Sequence, residues 1–446
     1  MINNKKTEKQ LHEIELSLNQ FYYKGIKIGS ILSFYFDRIY CHDFDNRLLR
    51  QISSLGYYFI KSIGKSKYLI NYEKNIIYFN RGTSRHYLEM VKAVTNNEEI
   101  RKKTLIIGPP GASDIEMRKV FYFSNLKDFF QITFFIIAKK RKISKILKPL
   151  QFKNKLVLYI ILLSQLLKAN SIQKFIKKQS PINLIGSDAD RCNNASLFFA
   201  VAKNNKISTF TLQHGVINAR HGYFPLIADE AWVWGQMAHK QFVEMGEIEE
   251  KIKITGTPIV QNLLISQELK HATKIKYNYK LGKTIVLALS EPNFVNDQKM
   301  IRFFCEIKEK YGSSNDNFLV KIHPARKFSN YAWIQNEFDI QLISPDIPYE
   351  EFMNLVDILL AHTSGLATEA LYYQKKVGII NILPDSAGNG LELNKYLNVP
   401  LIHNITEFEL LLKDDNQIDS GFVFYKIGES AKIKISNCIE EKITSK

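Results

Sequence analysis

The sequence predicts an α/β protein made of two successive halves, each a parallel sheet with helices on both faces. Three observations carry this expectation. The chain has 446 residues, beyond the ~250–300 at which a single core stops growing. From about residue 180 short apolar runs alternate with helix-length segments, the pattern of a parallel sheet covered on both sides. That alternation pauses at the polar, lysine-rich stretch 267–282 and then restarts.

In the first half, INLIGS (182–187) reads as a buried strand closed by Gly and Ser, and 191–204 as a helix. KISTFTLQHG (206–215) and ADEAWVWG (228–235) read as strands, followed by a helix over Gln236–Met245. KIKITGTP (251–258) is a further strand, with Pro258 expected to open a helix at its first turn. The second half offers strands at 283–293, 317–324, 340–345, 358–365 and 376–383, with helices at 297–311, 350–357 and 366–373. The boundary falls at 270/271, giving an N-terminal domain (1–270) and a C-terminal domain (271–446). Residues 1–100 carry aromatic runs (FYFDRIY, GYYFIKS, YLINYEKNIIYF) that suggest strands and a half-buried helix, but no motif.

The apolar share of 45% and charged share of 24% are those of a globular protein. Cys41, Cys192, Cys305 and Cys438 lie far apart, with no CxxC or metal-ligand spacing, which fits a reducing, cytoplasmic setting. The polar N-terminus lacks the apolar stretch of a signal peptide. The net charge of +17 is uneven: residues 1–180 hold 33 Lys and Arg against 13 Asp and Glu, and the remainder 28 against 31. No acidic residue occurs between Asp128 and Asp188. Within that stretch, 138–178 interleaves lysines with apolar clusters. Its longest apolar run, Leu156–Leu163, is short of the ~20 residues a spanning helix needs. It suits either an anionic membrane surface or a core helix with a solvated lysine face. No nucleic-acid-binding motif accompanies the charge.

Four clusters bring chemistry to strand ends, where open α/β sheets bind ligands. In LQHG, a buried strand delivers Gln213 and His214 at its tip, and Gly215 is expected to permit a sharp turn. A histidine there can serve as general base or merely satisfy loop carbonyls. In KIHP, Lys321 and His323 share one side of a strand, both able to donate to a phosphate oxygen, and Pro324 fixes the loop. In AHTSGLATEAL, Thr363, Ser364 and Gly365 start a helix whose free N–H groups suit a phosphate, with Glu369 one turn on, in reach of a ribose hydroxyl. The same hydroxyls would equally serve as a plain N-cap. In GSDADR, Asp188 follows a strand directly, either to support His214 or deprotonate an acceptor, or to cap a helix.

This order of motifs resembles the GT-B glycosyltransferases of bacterial surface carbohydrate synthesis over roughly residues 180–385. Capsule-type Kdo transferases share the QHG tip, bacterial sialyltransferases the HP and Ser/Thr motifs, and teichoic-acid glycerophosphotransferases a WHG tip with HP and Ser-Ser motifs. WVWG (232–235) and ITGTP (254–258) resemble the run that closes the first half in these families. The resemblance implies a GT-B fold, two Rossmann-like domains with a cleft between them, and an inverting, metal-independent glycosyltransferase. It makes His214 the base candidate, His323 the phosphate-binding histidine, and Thr363 and Ser364 the hydroxyls near the nucleotide phosphate. It implies a nucleotide-sugar co-substrate, best a CMP-linked sialic or Kdo-like acid, a glycan or lipid-linked acceptor, no other cofactor, and a place at the inner face of the membrane. The Asp-Asp-Gly motif of several sialyltransferases is absent, and Gln213 stands where the glycerophosphotransferases have tryptophan. The alternatives are a UDP-hexose transferase, a CDP-polyol phosphotransferase, a sugar-nucleotide epimerase on the same fold, and a peripheral membrane scaffold.

Overall fold

Helix Asn4–Leu18 opens the chain, followed by a hairpin of β1 (Tyr22–Tyr23) and β2 (Ile26–Lys27) and by helix Ile28–Tyr40. Lys24 (φ 49°) and Gly25 (φ 83°) both take the left-handed conformation that a two-residue hairpin turn requires. The aromatic run over 34–40 is helical. Ile28, Ile31, Leu32, Tyr35 and Phe36 recur at helical spacing and are buried. The computed structural model describes residues 4–40, 74–120, 125–150, 152–179, 181–191, 194–217, 222–289, 294–323, 326–362, 364–383, 389–413 and 419–444. The aromatic run at 56–62, Pro324 and Thr363 lie outside them.

The first half is a sheet of β3 (Ile76–Phe79), β4 (Thr104–Gly108), β5 (Ile115–Glu116), β6 (Leu184–Ser187), β7 (Ser208–Leu212), β8 (Glu230–Val233) and β9 (Ile252–Ile254). All neighbours are parallel, in the order β5-β4-β3-β6-β7-β8-β9. The second half holds β10 (Thr284–Ala288), β11 (Asn317–Lys321), β12 (Gln341–Leu342), β13 (Ile358–Ala361), β14 (Lys376–Ile380) and β15 (Leu401–Ile402). It is also wholly parallel, in the order β12-β11-β10-β13-β14-β15. The strands are buried on both faces, which is why they read as unbroken apolar runs. Each half thus has the doubly wound α/β order, reversing direction between β3 and β6 and again between β10 and β13.

Residues 255–266 carry the chain from one half to the other. Helix Gln267–Lys276 packs with the second half: Ser266 N donates to Asn354 Oδ1 at 3.0 Å, Lys276 pairs with Glu351 at 2.7 Å, and Lys270 pairs with Asp357. No helix starts at Pro258. Thr257 instead bridges to Ile427, and Gly256 (φ +90°) lies so close to Lys426 that a Cβ would stand 2.4 Å from its carbonyl oxygen. Trp234 O accepts from Tyr425 N at 2.9 Å, and Gly235 lies against Val423 O. WVWG and ITGTP therefore receive a segment returning from the second half. That segment leads into helix Gly428–Thr444, which packs on helix Arg85–Val94 of the first half. Lys432 pairs there with Glu89 at 3.0 Å, and Lys442 with Glu230 at 2.5 Å.

The basic stretch forms two helices, Leu126–Ile146 and Phe152–Lys178. Contrary to the reading of Leu156–Leu163 as too short, Lys155–Lys178 is long and apolar enough to cross a membrane (mean hydropathy 1.4), yet its most apolar window is 72% buried within the protein. Leu158, Ile161, Leu162, Leu166, Ile172 and Phe175 are its core face. The second helix is thus a core element. The exposed apolar residues of this pair lie mainly on the first.

Candidate active site

Register brings the ends of β3, β6 and β7 side by side: Phe79 pairs with Ser187, and Ser187 with Thr211. Arg81, Asp188 and His214 follow these residues by two, one and three positions, so three separated sequence segments meet at one edge, centred on the point where the strand order reverses. Arg81 Nε donates to Asp188 Oδ2 at 2.7 Å, and Ser187 Oγ to Asp188 Oδ1 at 3.3 Å. Asp188 is almost wholly buried, and burial raises its pKa despite the opposing pull of Arg81.

His214 lies in a loop with its ring stacked on Tyr223 (centroids 5.9 Å apart, planes at 13°). Its Nδ1 is buried with no hydrogen-bond partner among the described residues. Burial and the neighbouring Arg81 push the ring's pKa down to about 3, against a hydrogen bond to the Asp188 backbone. The imidazole is therefore neutral near pH 7, with a lone pair or N–H uncommitted. A cavity of about 10 Å³, room for one water, lies at this tip between Asp188, Gln213, His214, Tyr223 and Phe242.

Gln213 is fully engaged within the protein. Its Nε2 donates to Gly215 O at 2.9 Å, its Oε1 accepts from Trp234 N at 2.9 Å, and its own carbonyl accepts from Trp234 Nε1 at 2.8 Å. Its amide joins the tips of β7 and β8. Gly215 does not take a left-handed conformation, and a Cβ there would meet only Tyr223 Oη at 3.8 Å, so the sharp turn expected of it is not what the site uses. The rest of GSDADR is structural. Asp190 accepts from Ile227 N and Ala228 N at 2.5 and 3.2 Å, and buried Arg191 makes a two-pronged pair with Glu15 at 3.1 and 2.9 Å.

In the second half, Ala288 pairs with both Lys321 and Ala361. Lys321–His323 and Ser364–Gly365 therefore leave the same sheet edge two strands apart, about 10 Å at the usual strand spacing. Lys321 Nζ stands 5.0 Å from the Phe352 ring centroid, and burial lowers its pKa. Burial, Arg326 and Lys321 lower that of His323. Both groups therefore stand to gain from an incoming anion. Ser364 caps helix Gly365–Tyr372, accepting from Leu366 N at 3.2 Å. Among the described residues nothing lies within 4 Å of the place a Cβ on Gly365 would occupy. Glu369 is less available: the Tyr349 hydroxyl donates to its carboxylate, and burial raises its pKa, with Arg85 opposing.

Arg85 ties the first half to the second. It opens the helix after β3, and its guanidinium reaches Ile259 O (3.1 Å) and stacks over the Tyr349 ring (4.7 Å), beside Glu369. Tyr349 and Glu369 stand on the helices that follow β12 and β13. Sequence reasoning passed over Arg81, Arg85 and Tyr349. The available signal was RGTSRH (81–86), one residue after the apolar IIYF (76–79), the same strand-then-Gly/Ser grammar as in the later motifs.

No protein-family model matches the chain, and no curated protein does. Among solved structures, it is similar to S. aureus MnaA in a co-structure with UDP, at 14% identity and a TM-score of 0.50, covering 83% of this chain and 97% of that one. It is equally similar to UDP-GlcNAc 2-epimerase of Methanocaldococcus jannaschii in complex with UDP-GlcNAc and UDP, at 16% identity and a TM-score of 0.50, covering 83% and 100%. At such identities the likeness is one of architecture: the chain has a GT-B-like fold of two doubly wound parallel sheets.

Proposed function

We propose that the protein is a glycosyltransferase that moves a sugar from a nucleotide-activated donor to a hydroxyl of a glycan or lipid-linked acceptor. The observation that carries this reading is the buried Nδ1 of His214, without a hydrogen-bond partner among the described residues, at the edge where the first sheet reverses its strand order; Lys321, His323 and the helix start at Ser364–Gly365, at the strand ends of the second sheet, support it. A buried polar atom with no partner is uncommon and asks for one.

In the proposed reaction the acceptor oxygen attacks the anomeric carbon as the bond from that carbon to the nucleotide phosphate breaks. The proton of the acceptor passes to His214, whose ring is neutral but a weak base at a pKa of about 3, and which the negative charge of the bound donor phosphate would make more basic. Asp188, held by Arg81 and Ser187, is the positioning residue behind that ring rather than the base. The departing phosphate is stabilised by Lys321, His323 and the helix start at Ser364–Gly365, donors fixed before the charge develops. The sequence resemblance favours a CMP-linked acidic sugar as donor.

A second reading is a UDP-sugar enzyme, either hexose transferase or epimerase, favoured by the two structures of similar fold that hold UDP. Melting-temperature shifts with CMP, CDP, UDP and GDP separate the donors, since a ligand binding only the folded state raises stability. Product analysis of the matching nucleotide sugar then decides the reaction: a free epimer formed without acceptor overturns the transferase. Absence of any nucleotide-induced shift overturns both readings.

A further inference from the structure

Helix Leu126–Ile146 has two unlike faces. Ile132 and Ile143 are buried in the core, and Phe129, Phe135 and Ile136 pack against it. On the opposite side Phe130 (62% exposed), Phe134 (76%) and Ile137 (63%) stand in solvent, with Leu126 behind them. Spacings of four, four and three residues put these four in one stripe along the helix. An apolar stripe of this kind on a protein surface marks a contact.

The surroundings say with what. Lys127, Lys140, Arg141, Lys142 and Lys145 flank or continue the stripe. The one acidic residue of the helix, Asp128, is buried and paired with Lys174 at 2.5 Å. From 129 to 187 the chain has no carboxylate at all. A second copy of this surface would bring like charges together. A water-filled nucleic-acid groove would leave the aliphatic part of the stripe unmatched. An anionic bilayer surface answers both features, taking the rings into the acyl boundary and the lysines among the headgroups.

We infer that helix Leu126–Ile146 is a membrane-surface anchor that lies flat on anionic lipid through Leu126, Phe130, Phe134 and Ile137. Topology gives the anchor a use. Helix Phe152–Lys178 runs back toward the start of β6 and, at 27 residues, spans about 40 Å, roughly three times the four-residue strand. The basic C-terminal turns of the anchor, which pack beside the start of that helix through Ser144 and Tyr159 (2.8 Å), therefore overhang the side where the strands end. A lipid-linked acceptor would be met on that side. The anchor itself holds whatever donor the cleft takes, and its test reads lipid binding, so the two readings fail separately.

The test is flotation of the full chain with phosphatidylcholine vesicles containing about 30% phosphatidylglycerol, with pure phosphatidylcholine as the contrast. Wild type should float with the anionic vesicles and at least about tenfold less with the neutral ones. The Phe130→Ser, Phe134→Ser, Ile137→Ser triple variant should lose at least about tenfold of the binding while its melting temperature stays put, because all three side chains are exposed. In a Phe134→Trp variant the emission gained over wild type should shift blue on anionic vesicles. Failure of wild type to float overturns the inference. So does a triple variant that floats as wild type does, a tryptophan that stays in water, or single-stranded RNA displacing the protein from the vesicles through the same three side chains.

Discussion

Arg81 Nε and Asp188 Oδ2 stand 2.7 Å apart across the point where the first sheet reverses its strand order. The pair is nearly shut off from solvent, with side-chain exposures of 12% and 1%. Removing one partner of such a pair strands the other charge, at a cost of about 3–5 kcal/mol. Arg81→Met should therefore lower the melting temperature clearly, and adding Asp188→Asn should recover most of the loss. If Asp188 only holds the fold, the double variant regains transfer activity as well. If its carboxylate takes part in transfer, stability returns and turnover does not. Calorimetry and a donor-consumption assay on the three proteins decide.

His214 sets a pH dependence. Its folded pKa of about 3 lies below the ordinary 6.5, so on acidification the unfolded chain takes up a proton that the folded protein refuses. Its contribution to stability is complete above pH 6.5 and is lost as pH falls toward 3. The slope is at most about 1.4 kcal/mol per pH unit. A His214→Gln variant should show a flatter acid limb in chemical denaturation between pH 6.5 and 4, and little change at pH 8. Identical limbs would show that the ring is not held neutral. The same variant should lose turnover by about 10²-fold or more if His214 is the base.

Two glycines should answer to substitution in opposite ways. At Gly256 the left-handed backbone and the nearby Lys426 carbonyl leave no place for a side chain, so Gly256→Ala should destabilise by more than about 1 kcal/mol. At Gly365 an added Cβ meets nothing within 4 Å among the described residues, so Gly365→Leu should keep the melting temperature of wild type. It should instead abolish the nucleotide-induced shift, because the side chain would fill the place proposed for the phosphate. An unchanged shift would move the nucleotide elsewhere.

Glu15 and Arg191 join the opening helix to the loop beyond β6 through a fully buried, two-pronged ion pair. Glu15→Ala should cost about 3–5 kcal/mol, measured by denaturant titration, since it removes the carboxylate that neutralises a buried guanidinium, a charge the Pro225 carbonyl at 3.2 Å does not balance. A loss below about 1 kcal/mol would mean that water reaches the charge.

The second half was legible up to residue 383, because strands buried on both faces write themselves as apolar runs and their exits carry Gly, Ser or Pro; the short edge strand Leu401–Ile402 and the helices around it were not read. The tips at His214, Lys321–His323 and Ser364–Gly365 could be found for the same reason. Two things were not legible. Partners set by register, such as Arg81 with Asp188, lie 107 residues apart, and nothing local links them. Surface and core also look alike in a basic, apolar segment: Leu156–Leu163 drew the eye, while the exposed stripe lies one helix earlier, because exposure depends on what packs above. WVWG and ITGTP were recognised as a closing run, but their physical task, receiving residues 423–427, appears only in three dimensions.

The route of the backbone between the halves has a mechanical result. Two strands of chain, 255–266 outward and 419–428 homeward, run beside each other and are bonded where Thr257 meets Lys426 and Gly428. A paired crossing of this sort resists sliding and shear but leaves rotation about its own line soft. The contact of Arg85 against Tyr349 lies beside that crossing, since the same guanidinium reaches Ile259 O at 3.1 Å, so it braces the two halves at their joint.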